Sequence, residues 1–289
     1  MITGSSIICY EGCPLNKEKV TLRSMCLLTI AYKQHSQAPL IIASNRDEFY
    51  ARPTLPMHWW QDAPILAGRD QQAMGTWLGL SNNGRFAAVT NYRQVTTNNS
   101  KQTALLSRGS LVSDFLSSDQ TSHQWSQTLV ESGADFDGFN LLTYDGKQLV
   151  YCNNHNNQPP QVLSSGFYAL SNGALDSDWP KVDHARDQLR QLLRRSEQTL
   201  PQLPELVSLL SLEQTYAPEL LPDTGIPTEW EQLLSSPFII AEDYGTRAST
   251  AAIISSSGYI EVAEQNYHCL LYTSPSPRDY AASRMPSSA

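Results

Sequence analysis

The residue pair with the most chemistry to offer is Met25-Cys26, within the stretch SMCLLTIAY. A cysteine thiol can act as a nucleophile, and this one stands at the head of an alternating apolar run. The stretch reads as the start of a chain rather than its interior. Residues 1–24 ahead of it follow no clear secondary-structure period, and two explanations suit them. Either the start is assigned too early, or a propeptide is removed to expose Cys26. Met25 is itself a usable start, which favours the first. Taken alone, Cys26 would be a small apolar core residue.

The next polar group is Asn45-Arg46-Asp47-Glu48, which could simply cap a strand end and form surface ion pairs. Arg69-Asp70 reads as a structural pair in a turn, and GTWLG (75–79) as a packed strand with an anchoring tryptophan. Trp59 and Trp60 either line a pocket mouth or cover the core, and Cys152 reads as buried and inert. His35, His58, His123, His155 and His184 lack metal-ligand spacing, so no metal is expected. The five cysteines are odd in number and too scattered for a disulfide framework or zinc site. No P-loop, GxGxxG, HExxH or GxSxG motif is present.

Composition excludes several classes. A net charge of −8 argues against a nucleic-acid footprint, which needs a basic face. No apolar run approaches the ~20 residues that span a bilayer. The N-terminal segment lacks the basic and apolar regions of a signal peptide. A reducing, cytoplasmic location is the expectation.

These residues must be held by strands. CLLTIAY and LIIAS form a hairpin whose second strand ends at residues 45–49. TWLGLSNNGRFAAVTNY turns at Asn83-Gly84, GFNLLTYDGKQLVYCNN at Asp145-Gly146, and TRASTAAIISSSGYIEVAEQNY around Ser257-Gly258. GFYALSN adds a strand. Helices are predicted over TALLSRGSLVSDFLSS, SHQWSQTLVES and LPELVSLLSLEQ. The clearest is DSDWPKVDHARDQLRQLLRRSE, with Asp178 as cap, Pro180 in the first turn and Val182, Leu189, Leu192 and Leu193 on one face. Hairpins with helices inserted between them predict an α+β layered domain rather than a Rossmann-type one.

Taken in order, MCLLTIAY, ASNRDEFYARPT, LAGRDQQAMGTWLGLSNNGRFAAVTNYR, GFNLL, ALSN and YGTRAST resemble the NRDE family, of transport-and-Golgi-organisation type. The resemblance implies an Ntn-hydrolase-like fold, a four-layer αββα sandwich of two antiparallel sheets. The family usually begins with Met-Cys, so Met25 would be removed and Cys26 would carry both thiol and free α-amine. Such an amine has a pKa of about 7.7–8.0 and can take the thiol proton. Positions here also resemble the cysteine amidase branch of that fold. By that resemblance Asp47, following Asn45, orients the amine. Asn91 donates to an oxyanion with Asn172 as a second polar partner, and Arg247 lies near the nucleophile. The amidases carry an arginine just before their Asn-x-Asp, where this chain has Ser44.

Two functions follow as expectations. One is an N-terminal-cysteine hydrolase acting on a non-peptide C–N amide or related acyl bond, needing no cofactor. The other is a non-catalytic carrier of haem or a lipid or acyl ligand on the same scaffold. The partner in either case is a small amide, acyl or haem-like molecule. Expected boundaries are an extension over 1–25, the NRDE domain over 26–268, and a tail over 269–289. That tail, CLLYTSPSPRDYAASRMPSSA, resembles an in-frame translation of a sequencing adapter and is expected to make no stable packing, or at most to complete a strand by accident. On this reading the native chain continues past about His268, which would leave the last strand with an open edge.

Overall fold

The computed structural model describes residues 25–93, 106–132, 136–156, 158–195, 199–267 and 280–286; residues 1–24, with Cys9 and Cys13, and Cys269 lie outside them. β1 (Met25–His35) and β2 (Ala38–Phe49) form the first hairpin. Along β1, Leu28, Ile30 and Tyr32 alternate with Leu27, Thr29 and Ala31, and all six are buried. Buried on both faces, this strand needs a cover on each side.

One cover is a second sheet. β3 (Thr54–Trp59), β4 (Ile65–Asp70), β5 (Leu78–Ser81), β6 (Phe86–Asn91), β7 (Phe139–Tyr144), β8 (Leu149–Asn153) and β9 (Gln161–Val162) pair antiparallel in chain order. Gly84, at φ +80°, makes the β5–β6 turn that the Asn-Gly dipeptide predicts. The chain then returns through β10 (Gly166–Leu170), which pairs with the free side of β1. β11 (Tyr244–Ile254), β12 (Tyr259–Asn266) and β13 (Tyr280–Pro286) complete a six-stranded antiparallel sheet in the order β10-β1-β2-β11-β12-β13. Leu28, Ile30, Tyr32, Leu40 and Ile42 meet Leu66, Leu80, Phe86 and Leu142 between the sheets.

Helices supply the outer layers. α1 (Gly109–Ser117) and α2 (Ser122–Ser132) cover the seven-stranded sheet, with Leu111, Val112 and Phe115 against Ile65, Ala87 and Val89. α3 (Pro180–Arg195) and α4 (Leu203–Val207) cover the six-stranded sheet, where Leu189 and Leu206 meet Ala31 and Ile41. α5 (Thr228–Leu233) closes one end against Ile239 and Tyr244. The result is a four-layer αββα sandwich of two antiparallel sheets, the α+β architecture the sequence predicts. No helix among the described residues is long and apolar enough to cross a membrane.

Some elements depart from expectation. β3 carries Pro56 and a bulge between Leu55 and His58, and none of its residues is fully buried, so it shows no alternation. α1 begins only at Gly109; residues 103–105 lie outside the described residues, and Leu106 bridges to Phe136 instead. The first bonds of α3 run from Val182 and Asp183 to the Trp179 carbonyl, leaving Asp178 outside the helix. In the tail, Tyr280–Pro286 pairs with β12 and closes its edge, as exposed strand edges favour; Leu271 and Tyr272 lie outside the described residues.

Gly75 ties α1 to the strand layer. A Cβ built on it would lie 2.4 Å from the Gly109 carbonyl carbon, and the neighbouring Thr76 N–H donates to Gly109 O at 3.2 Å. Gly75→Ala should therefore push α1 outward and cost about 1–3 kcal/mol of stability. Urea unfolding measures this, and an unchanged midpoint would show that the helix start is not held by this contact.

Candidate functional site

In the β1–β2 ladder Cys26 lies opposite Arg46 and Met25 opposite Asp47. Directly opposed residues project to one face and neighbours along a strand to opposite faces. Cys26, Arg46 and Glu48 accordingly share a cleft of about 340 Å³ between the sheets, walled also by Arg52, Asp70, Trp77 and Asn91. Asn45 and Asp47 face the helices on the other side of the sheet.

The cleft floor is a charge network. The Arg46 guanidinium lies 4.3 Å from the Trp77 ring centre, with Nη2 at 3.5 Å from Glu48 and 3.9 Å from Asp70. Arg52 Nε reaches Asp70 at 2.7 Å and Glu48 at 3.6 Å. Burial opposes the Asp70 charge, but the Ala73 N–H and Arg52 outweigh it and hold the carboxyl below its usual range. Burial pushes the Cys26 thiol up to about 12, and the Asp47 charge adds to this while Arg46 opposes it. With Met25 attached, the thiol is thus poorly disposed to ionise.

Asn91 ends β6 on the cleft wall. The Asn172 amide donates to Asn91 O at 2.9 Å, and Ser171 Oγ donates to Cys26 O at 3.1 Å. This tie joins the two sheets beside the thiol. Asn45 donates to the Leu210 and Pro237 carbonyls, each at 2.9 Å, and accepts from Ser249 at 2.7 Å. Asp47 accepts from Thr246 Oγ1 at 2.7 Å. Arg247 Nη1 donates to the Phe49, Tyr50 and Arg52 carbonyls at 2.9, 3.2 and 3.2 Å, ordering the turn after β2 rather than lining the cleft. Of the six residues singled out in the sequence, Cys26 and Asn91 line the cleft, Asn172 backs Asn91, and Asn45, Asp47 and Arg247 lie outside it.

Sequence reasoning weighed Arg46 only as a stand-in for the amidase arginine missing at Ser44 and passed over Glu48, although two-residue alternation through the NRDE tetrapeptide puts both on one face. Arg69-Asp70 does not pair internally. Asp70 turns into the cleft while Arg69 meets Asp62 at 2.7 Å on the outside. Lys181 was also missed. It is 2 % exposed in the first turn of α3 and donates to Leu234 O at 2.7 Å. Burial lowers its pKa, with the Asp47 charge opposing. Among the described residues no cluster of three or more His, Cys, Asp or Glu could hold a metal ion.

The chain matches the family described as Transport and Golgi organisation 2 over residues 25–269. It is 33 % identical over 243 residues to the Homo sapiens Transport and Golgi organization protein 2 homolog, covering 78 % of this chain and 86 % of that one. The Bos taurus homolog is 31 % identical over 246 residues, with the same shares. A solved structure, the Caenorhabditis elegans N-acylethanolamine-hydrolyzing acid amidase ortholog, superposes with a TM-score of 0.47 at 10 % identity, covering 79 % of this chain and 92 % of that one.

Burial raises the Asp47 carboxyl to about 6, with Lys181 the leading charge that opposes the rise. A carboxyl raised from about 4 binds more protons folded than unfolded across that interval, so it makes stability fall as pH rises through it. Asp47→Asn should remove this component between pH 4 and about 6. The check is urea unfolding of both proteins across the window; identical pH slopes would show that Asp47 carries no such strain.

Proposed function

This chain belongs to the Transport and Golgi organisation 2 family, and on that premise we propose that it is an N-terminal-cysteine hydrolase acting on a non-peptide C–N amide or related acyl bond. The carrying observation is the ladder that sets Cys26 on the cleft floor and Met25 opposite the buried Asp47. Loss of Met25 would free the α-amine on Cys26 itself, next to this pairing, where the Asp47 charge that already acts at Cys26 can orient it.

The amine takes the thiol proton and Sγ attacks the carbonyl carbon, whose π pair moves to oxygen. The C–N bond then breaks and the leaving nitrogen takes the proton from the α-ammonium. Water, deprotonated by the same amine, adds to the thioester. The C–S bond breaks, the thiolate regains its proton and a carboxylic acid departs. Asn91 is the proposed oxyanion donor, steadied by Asn172. Asn45 and Arg247 hold backbone around the site.

The cleft volume of about 340 Å³ lies near the low end of ligand pockets, roughly 300–1,000 Å³, which suits a small substrate. A haem or lipid carrier would need a largely apolar slot. The lining residues instead include Arg46, Glu48, Arg52 and Asp70, which favours the hydrolase reading. Among the described residues Cys26 and Cys152 are both free thiols, in keeping with a reducing, cytoplasmic site of action.

The test compares the chain begun at Met1 with the chain begun at Met25. Mass spectrometry of the second should find Met25 removed, and an activated acyl ester should modify Cys26 rapidly near pH 7.5. The first should react slowly, because its thiol is buried and its residue 26 lacks a free amine. If residues 1–25 are instead a propeptide, a fragment ending at Met25 should appear and Cys26→Ala should abolish it. Equal, slow modification of both chains would sink the hydrolase reading and leave the carrier.

A further inference from the structure

The Arg46 side chain is 2 % exposed, yet Nη1 has no hydrogen-bond acceptor among the described residues. Guanidinium groups stay charged in proteins, and buried donors are nearly always paired. An orphaned donor in the wall of a cleft calls for an acceptor from outside. The residue opposite Arg46 in the ladder is Cys26, so that acceptor would bind beside the thiol.

Resting on the hydrolase reading, we propose that Arg46 is a catalytic residue whose Nη1 receives the carbonyl oxygen of the substrate as Cys26 attacks. Nη1 carries essentially no exposed surface, so the guanidinium must turn over the Trp77 ring, 4.3 Å away, to present it to the floor. The electron pair displaced from the C=O bond collects on that oxygen and returns when the C–N bond breaks, so no further reactant is needed.

The surrounding charges select the kind of oxygen. Glu48 and Asp70 already flank Nη2 and are shared with Arg52, so the guanidinium has no surplus positive charge to offer a permanent anion. A neutral amide carbonyl, charged only transiently, suits the position better than a carboxylate or phosphate. Arg46 also favours the thiolate of Cys26, so an experiment must separate the two effects.

Alkylation by iodoacetamide passes through no oxyanion, whereas acyl transfer from p-nitrophenyl acetate does. Both reactions at Cys26 are followed against pH in the chain begun at Met25, for wild type, Arg46→Gln and Arg46→Lys, with thermal melts to confirm folding. Corrected for the thiolate fraction, alkylation should change little, while acylation of Arg46→Gln should fall about 10²–10³-fold, as for loss of an oxyanion donor. If Arg46→Gln does not fold, Arg46→Lys decides, and its acylation should still fall at least about tenfold with alkylation retained. Parallel losses in both reactions would overturn the proposal and leave Arg46 acting only on the thiol; no loss in either would make it a bystander. A wild type that alkylates but never acylates would instead sink the hydrolase reading, and this inference with it.

Discussion

The register of β1 against β2 places Cys26 opposite Arg46 and Met25 opposite Asp47, and each feature of the cleft descends from it. A slip of one residue would turn every side chain of β1 to the other face. Apolar packing resists that slip. Leu28, Ile30 and Tyr32 fill the space between the sheets while Leu27 and Ala31 meet the helices, and each large side chain contributes on the order of 1.5–3 kcal/mol when buried. Chemistry at Cys26 therefore rests on residues that never touch the cleft. The other neighbour of β2 adds a second constraint. β11 pairs Thr246 with Asp47 and Ala248 with Arg46, so Arg247 is the extra residue of a bulge. Its side chain is thereby free to reach the carbonyls of the turn after β2.

The same strand divides the charges between two layers. Arg46 and Glu48 join Arg52 and Asp70 on the cleft side, while Asp47 shares the helix side with Lys181. Desolvating such groups costs about as much as their pairing returns, so they are poor evidence of stability. They are better evidence of placement. Removing one member leaves another buried without its counter-charge, and each group is held in position by that penalty.

Much of the fold was legible because its signals are local. The Asn83-Gly84 and Asp145-Gly146 turns, the alternation of CLLTIAY and the apolar stripe of α3 each depend on a few neighbouring residues. β3 was not legible, since an edge strand with a proline and a bulge has no face that must be apolar. The site was legible as segments but not as sides. Both faces of β1 and β2 are buried, so composition does not tell which one meets the other sheet. Asn45 and Asp47 were therefore grouped with the cleft, whereas they lie on the helix side of the sheet, from which the Asp47 charge still acts on Cys26. Lys181 escaped notice for a related reason: lysine is rarely buried, and its sequence neighbours alone read as a solvated helix start.

Several polar residues around Cys26 bind backbone rather than open space. Asn45 joins β2 to the carbonyls of Leu210 and Pro237, Asn172 joins the end of β10 to β6, and Arg247 gathers three carbonyls after β2. Each link spans segments far apart in sequence, where chain connectivity gives no help with alignment. A reactive thiol needs its partners held within about 0.5 Å, and strands tied in this way hold them more closely than loops could. Asparagine suits the task because its amide both donates and accepts, as Asn45 does between Ser249 and the two carbonyls. The guanidinium of Arg46 stands apart from this pattern: its carboxylate neighbours among the described residues lie on Nη2, while Nη1 meets no acceptor among them.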